Sequence, residues 1–118
     1  PSVNSRQKAS TTRNDASEIP QGKARFYSST TKKTEDIGVK LSTRKNQNNH
    51  IIIDAQWDDG FKSSYVFWKS GIVEILSKDG EGKIDNTPGT WTQQGGNTAI
   101  TAKTGSITIF PGLTPAAN

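Results

Sequence analysis

The 118-residue sequence contains no cysteine, no methionine and a single histidine. Without cysteine the chain has no disulfide, no thiolate metal site and no cysteine nucleophile, so packing alone must hold its core together. It also has no run near the ~18 apolar residues of a membrane-spanning helix, and residues 1–30 lack the apolar stretch of a signal peptide. We therefore expect a soluble chain without a membrane span, and its location stays open between cytoplasm, virion and processed secretion.

Hydrophobic side chains are scarce as well, at 30% of the residues, and aromatic side chains make up 8%. A chain of this length suits one domain, which buries roughly 60–70% of the surface that the unfolded chain exposes. Thr, Ser, Asn and Gly are abundant, which favours a sheet protein with many turns over a helical bundle. The composition predicts a small all-β domain with one modest core.

Positive charge is concentrated in the first part of the chain. Residues 1–45 contain ten Lys or Arg against four Asp or Glu, whereas residues 46–118 contain five against seven. Residues 1–22 carry too few apolar side chains to offset an ordering entropy of ~1–2 kcal/mol per residue. We predict that residues 1–22 form a polar, basic N-terminal arm, disordered alone or ordered by a partner, and that residues 23–118 form the β domain.

Nine of the ten basic residues of the first part are candidates for contact with an anionic partner, such as phosphates or an acidic protein surface. They are Arg6, Lys8, Arg13, Lys23, Arg25, Lys32, Lys33, Arg44 and Lys45. A solvated terminus without a partner is the alternative interpretation.

From Lys23 onward, strand-like runs recur every eight to twelve residues with Gly-containing turns between them, which is typical of a sandwich or barrel. Alternation in residues 37–41 predicts a half-buried strand, and Phe26 indicates a weaker strand just before it. In residues 50–57, the odd-numbered side chains up to Trp57 form the core side. The predicted fold is a small antiparallel meander that forms a barrel or sandwich.

Two hairpins have a specific turn chemistry. Lys69-Ser70-Gly71 and Lys103-Thr104-Gly105 each join two strand-like runs, and a three-residue connection that ends in Gly suits a type I turn with a G1 bulge. Turns are also predicted at Asp58-Asp59-Gly60 and Gln94-Gly95-Gly96. Between the two hairpins, residues 77–88 are polar apart from Ile84 and Pro88, and we predict a polar connection of twelve residues there.

The strand after this connection begins with Gly89-Thr90-Trp91, and Trp91 is predicted to anchor it in the core. This segment resembles the G-x-W and GTW segments of lipocalin-like and avidin-like barrels over about a dozen residues. The resemblance implies a barrel with room for a small ligand. It covers too little of the chain to assign a family.

The sequence has no recognisable catalytic set, and no enzyme activity or cofactor is predicted. His50 and Asp54 share a strand face but stand ~13 Å apart at 3.3 Å per residue, too far for a dyad. A single His without Cys makes a poor zinc site, and His50 is interpreted as a surface residue of an edge strand. Glycine-rich nucleotide loops and the nucleophile-elbow motif are absent.

Residues 77–85 are similar to the calcium loop of EF-hands. The position that requires a bidentate Glu holds Pro88, and Ser77 replaces the first Asp, so we interpret the segment as a solvated turn. A weak calcium site formed by Asp79, Glu81 and Asp85 is the alternative.

The central hairpin has large apolar side chains on both faces, whereas a strand against water needs only one such face. Burial on both sides is one explanation. The other is an exposed patch that contacts a protein partner. Under that hypothesis the patch comprises Tyr65, Phe67, Ile72 and Leu76. The core then receives Val66, Trp68, Val73 and Ile75.

Three functional hypotheses follow. The first is a non-enzymatic binding or assembly module, for example a structural, accessory or virion-like subunit. It would contact a protein partner or its own copies through this patch, and the arm would extend over an anionic or neighbouring surface. The second is nucleic-acid binding, in which the basic residues follow the backbone and Tyr65, Phe67 or Trp68 stack on bases. The third is a secreted or envelope barrel for a small apolar ligand, whose test is a closed cavity in place of a filled core.

Overall fold

The computed structural model describes residues 19–118, in which eight antiparallel strands follow one another in chain order and close into a barrel. The strands are β1 (Lys23–Tyr27), β2 (Thr34–Lys45), β3 (Ile51–Trp57), β4 (Lys62–Phe67), β5 (Ile72–Lys78), β6 (Ile84–Gln94), β7 (Asn97–Ala102) and β8 (Ile107–Pro111). The predicted all-β antiparallel meander is confirmed, in its barrel form. Nearly all of the predicted arm, including Arg6, Lys8 and Arg13, lies outside the described residues.

The barrel closes through pairing of β1 with β8, and it turns its corners in the two longest strands, β2 and β6. β2 pairs with β1 up to Gly38 and with β3 from Val39 onward. In β6, Gly89 pairs with both β5 and β7, and a side chain there would meet the Thr101 carbonyl oxygen at 2.6 Å. Glycine thus stands where neighbouring backbones approach most closely.

The predicted turn chemistry is confirmed in both hairpins. Gly71 and Gly105 have φ of 95° and 96°, and Trp68 N donates to Ile72 O at 2.9 Å to close the first turn. The prediction that residues 77–88 form a connection between the hairpins is wrong. β5 continues to Lys78 and β6 starts at Ile84, so only a short turn separates them. These strand ends project into solvent on both faces, and their sequence therefore lacks the apolar alternation that indicates a strand.

We call the end where β1–β2, β3–β4, β5–β6 and β7–β8 connect the upper end, and the opposite end the lower end. Large side chains fill the lower half of the interior. Phe67 contacts Trp91 edge to face at a centroid distance of 5.3 Å, and Phe110 contacts Tyr65 at 5.4 Å. The buried cluster comprises Ala24, Ile53, Ala55, Trp57, Tyr65, Phe67, Val73, Ile100 and Phe110, and Trp91 packs against it as predicted.

Residues 112–118 close the lower end. Leu113 packs against the core. Asn118 lies between β3 and β4 and forms hydrogen bonds with both strands. The Asn118 side-chain oxygen accepts a hydrogen bond from Ile51 N at 2.8 Å, and Asn118 N donates to Phe67 O at 2.8 Å. The pairing of β3 with β4 begins two residues further up the barrel, at Ile53 and Tyr65. Asn118 therefore satisfies backbone groups that would otherwise be unpaired.

On β4 the two faces of the central hairpin are the reverse of those required by the patch hypothesis. On β5 they are as required, with Val73 and Ile75 inside the barrel and Ile72 and Leu76 outside. Tyr65 and Phe67 are 4% and 1% exposed and point into the barrel, beside Ile75 and Val73 on β5. The prediction of an exposed patch is therefore wrong for Tyr65 and Phe67. Four consecutive large side chains do not reveal which alternate pair points inward, and closure of the barrel decides it.

On the outer face of the same hairpin, Ile72 is exposed and Leu76 is half-buried. Val66 and Trp68 were predicted to join the core. Val66 is buried, at 7% exposed, although it lies on the outer face, whereas Trp68 is only half-buried on that face and the prediction is wrong for it. Trp68 Nε1 donates to Glu74 Oε2 at 2.8 Å, and its ring packs edge-on against His50 at a centroid distance of 4.9 Å.

Candidate functional site

The upper half of the barrel interior contains a cavity of about 420 Å³ that opens at the upper end. This volume lies in the range of ~300–1,000 Å³ that is typical of small-ligand sites. All eight strands contribute to its lining. The apolar wall is formed by Phe26, Ile37, Trp57, Ile75 and Ile100.

The cavity exists because the inward-facing side chains of the upper half are small. An eight-stranded barrel is wide enough either for side chains to fill it or for one small ligand to be held inside. Ser63, Ser77, Thr87 and Ala102 occupy inner positions in the upper half. These side chains are too short to meet across the barrel, and space is left above the large residues of the core.

Phe61 lies beside the mouth of the cavity, in the turn between β3 and β4. It is 43% exposed and lines the cavity together with Asp59, whose carboxylate accepts a hydrogen bond from Phe61 N at 3.0 Å. The sequence interpretation did not single out Phe61. A lone large apolar residue in an otherwise polar turn is the signal that could have identified it.

A hydrogen-bonded row of three side chains crosses the floor of the cavity. Trp57 Nε1 donates to Ser63 Oγ at 2.9 Å, and Ser63 Oγ donates to Tyr65 Oη at 2.8 Å. All three residues are buried. Burial raises the pKa of Tyr65 to about 12, against the smaller opposing effect of the hydrogen bond from Ser63. The Tyr65 hydroxyl is therefore neutral and protonated at neutral pH.

This pKa predicts a loss of stability in base. The folded state favours the neutral phenol and raises the pKa of Tyr65 above its ordinary value of 10.0. The contribution of this effect to the free energy of unfolding is therefore fully present below pH 10 and is lost as pH rises through about 12. A tenfold change in proton affinity corresponds to ~1.4 kcal/mol. The ionisation of Tyr65 should therefore lower the free energy of unfolding by about 3 kcal/mol across this range. Urea unfolding at a series of pH values measures it.

Tyr65→Phe is the control for this titration, because it removes the ionisable group and keeps the ring. The variant should show a smaller decline in the free energy of unfolding above pH 10. The near-ultraviolet absorbance of the Tyr65 tyrosinate, which forms in the unaltered chain at the highest pH, should be absent. Parallel stability curves for the two proteins would contradict the assignment.

The described members of the predicted basic set do not form one patch. Arg25 lies on the outer face of β1 and pairs with Asp36 at 2.7 Å. Hydrogen bonding from Arg25 lowers the pKa of Asp36 despite partial desolvation. Lys32 and Lys33 lie in the upper β1–β2 turn, whereas Lys45 ends β2 at the lower end.

Two further members also lie apart. Lys23 begins β1 and is exposed, while Arg44, on the outer face of β2, pairs with Asp54 at 2.7 Å. Burial raises the pKa of Asp54, but hydrogen bonds from Arg44 and Ser64 outweigh it and leave this pKa below its usual value. Base stacking by Tyr65 and Phe67 is excluded because both rings lie inside the barrel.

The alternative calcium site is not assembled. Asp79 Oδ1 accepts hydrogen bonds from Glu81 N and Lys83 N, both at 2.9 Å, so this carboxylate organises the β5–β6 turn. Asp85 lies opposite Ser77 on the neighbouring strand. Within residues 19–118, no group of three or more His, Cys, Asp or Glu side chains is placed to hold a metal ion.

A second concavity, of about 550 Å³, lies on the outer surface across β2 to β6. We call it the outer groove. Lys40, Lys62 and Lys78 line it together with Leu76 and Ile84, and Ile84 is 63% exposed. It brings apolar and positively charged side chains together on one open surface.

Comparison with known proteins gives no match to a protein-family model, to a curated protein sequence or to a solved structure. Residues 19–118 contain no helix that is long and apolar enough to cross a membrane.

Proposed function

We propose that this chain is a non-enzymatic binding protein whose barrel holds one small, largely apolar molecule. The cavity of about 420 Å³ carries this proposal, since it is enclosed by strands, open at one end and walled mainly by apolar side chains. It corresponds to the third hypothesis from the sequence. The protein-partner hypothesis is weakened because Tyr65 and Phe67, two of its four patch residues, lie inside the barrel.

The shape of the lining supports an apolar ligand. Trp57 offers a large aromatic surface in the wall, and Phe61 offers another at the mouth. Aromatic rings supply much of the contact area in binding sites and bind flat apolar groups well. A ligand that enters here leaves water and covers Phe61, whose exposure on the free protein is otherwise unfavourable.

The polar groups support binding over catalysis. Asp59 is the one charged side chain among the described residues that line the cavity, and it lies at the mouth. His50 is on the outside, against Trp68. General acid–base chemistry requires a titratable group in reach of the substrate with a pKa near the working pH, and Tyr65, with a pKa of about 12, is poorly suited to it.

Binding of N-phenyl-1-naphthylamine tests the proposal. This neutral aromatic probe is weakly fluorescent in water and bright in an apolar site. With the full chain we expect a saturable increase in probe fluorescence, one probe per chain, and a dissociation constant of about 1–10 µM. Emission from tryptophan should fall in parallel, because Trp57 lies in the cavity wall.

A linear, unsaturable signal would contradict the proposal, since it indicates only adsorption to surface apolar groups. Competition by a neutral fatty alcohol distinguishes the two cases, because displacement requires a shared site.

A second candidate function is protein binding at the outer groove. The observation in its favour is the exposure of Ile84 on the outer face of β6, where it lines the groove together with Leu76, Lys62 and Lys78. Exposed apolar side chains rimmed by charge are typical of protein-interaction surfaces. The chemistry of this groove suits a partner with an acidic rim.

A further inference from the structure

We infer that the cavity selects neutral ligands that carry a hydrogen-bond acceptor, such as a ketone or amide oxygen, and that the Tyr65 hydroxyl donates to it. This inference rests on the proposed function and specifies the class of ligand. It is carried by the hydrogen-bonded row on the cavity floor, formed by Trp57, Ser63 and Tyr65.

The row has one more donor hydrogen than it has hydrogen bonds. Trp57 supplies an N–H, and Ser63 and Tyr65 supply one O–H each, which makes three donors for two hydrogen bonds. If Ser63 donates to Tyr65, the Tyr65 proton is left over. The described residues provide no hydrogen-bond acceptor for it, although Tyr65 is 4% exposed. A buried donor without an acceptor is unfavourable, and a ligand that accepts the bond removes this penalty.

The position of the hydroxyl directs this donor into the cavity. β4 runs from the upper to the lower end, so Ser63 lies above Tyr65, and the hydrogen bond between them directs the Tyr65 hydroxyl upward. Below it, the ring rests on Phe110 and Phe67, which fill the lower half. The acceptor therefore belongs at the inner end of the ligand, and its apolar body extends towards the mouth.

The charge of the lining indicates a neutral ligand. No Lys or Arg is among the described residues that line the cavity, so an anionic head group would be buried without a counter-charge. Asp59 is at the mouth and makes no hydrogen bond to the row, and a cationic group beside the Tyr65 hydroxyl would likewise lack a partner. Burial of an unpaired charge is strongly unfavourable, whereas a carbonyl oxygen needs only one donor.

Two neutral naphthalene probes of similar size test the inference. 6-Propionyl-2-(dimethylamino)naphthalene carries a ketone, whose emission shifts to the red when it accepts a hydrogen bond, and N-phenyl-1-naphthylamine carries no oxygen. In Tyr65→Phe we expect about tenfold weaker binding of the ketone probe and a shift of its bound emission to the blue. Binding of N-phenyl-1-naphthylamine should change less than about twofold.

Tyr27→Phe is the matched control. It removes the hydroxyl of the other tyrosine, which is on the outer face of β1, and should leave both probes unaffected. Equal loss of ketone affinity in Tyr27→Phe and Tyr65→Phe would contradict the role given to Tyr65.

The outcomes separate this inference from the proposed function. If neither probe binds the unaltered chain, the proposed function fails and the inference fails with it. If both bind and Tyr65→Phe changes neither the ketone affinity nor its emission, the inference is overturned while the proposed function stands. Equal weakening of both probes in Tyr65→Phe also overturns it, since the hydroxyl then acts only on the shape of the cavity.

Discussion

Replacement of Thr87 by tryptophan is expected to abolish binding of N-phenyl-1-naphthylamine, with at least about thirtyfold loss of affinity. Thr87 lies on β6 opposite Ile75 and lines the cavity near its upper end. An indole at this position takes up part of the cavity of about 420 Å³ into which the probe must fit. Because the added side chain enters open space and a well-packed core is left intact, the free energy of unfolding should change by less than about 1 kcal/mol.

Thr90→Trp is the matched control for this substitution. Thr90 is three residues further along the same strand, on the outer face and exposed, so the same change in volume is made outside the cavity. Its affinity for the probe should equal that of the unaltered chain. If Thr87→Trp has the same free energy of unfolding as the unaltered chain and still binds the probe with full affinity, the probe site lies elsewhere. The cavity then loses its proposed role.

Replacement of Gly89 by alanine is expected to lower the free energy of unfolding by about 3 kcal/mol. The added Cβ would lie 2.6 Å from the Thr101 carbonyl oxygen and 3.2 Å from the Ala102 Cα. Both are backbone atoms of β7, so no side-chain rotation relieves the contact and the strand itself must move. Urea unfolding followed by tryptophan fluorescence measures the loss.

Gly38→Ala offers a contrast at the other corner of the barrel. There the added Cβ meets the carboxylate of Asp58, which is exposed and free to rotate away from β2. We expect a loss of about 1 kcal/mol or less. Equal destabilisation by the two substitutions would show that close approach of backbones at Gly89 is not what requires glycine at that corner.

The strands and turns that could be predicted are those with a local cause. From Ile53 onward the odd-numbered residues of β3 are apolar and alternate with polar ones. The Lys69-Ser70-Gly71 turn needs a left-handed residue at its end, which Gly71 supplies. These signals depend only on neighbours in the chain. They predicted β3 and the hairpin between β4 and β5 correctly without any knowledge of the fold.

The errors arose where burial depends on distant strands. Residues 77–88 look like a loop because the upper ends of β5 and β6 are solvated on both faces, although each strand is paired there with the other. The candidate site could not be predicted either. Trp57, Ser63 and Tyr65 form one hydrogen-bonded row only after β3 and β4 pair and the barrel closes around them.

The sequence by itself determined the strand periodicity, the turn types and the absence of disulfides, because each depends on residue type and local spacing. Only the tertiary structure decided that Tyr65 and Phe67 point inward, that the corners lie at Gly38 and Gly89, and that small side chains in the upper half leave a cavity. The physical reason is closure. An alternating strand has two faces, and which of them becomes the interior is set by pairing of β1 with β8 across the whole chain.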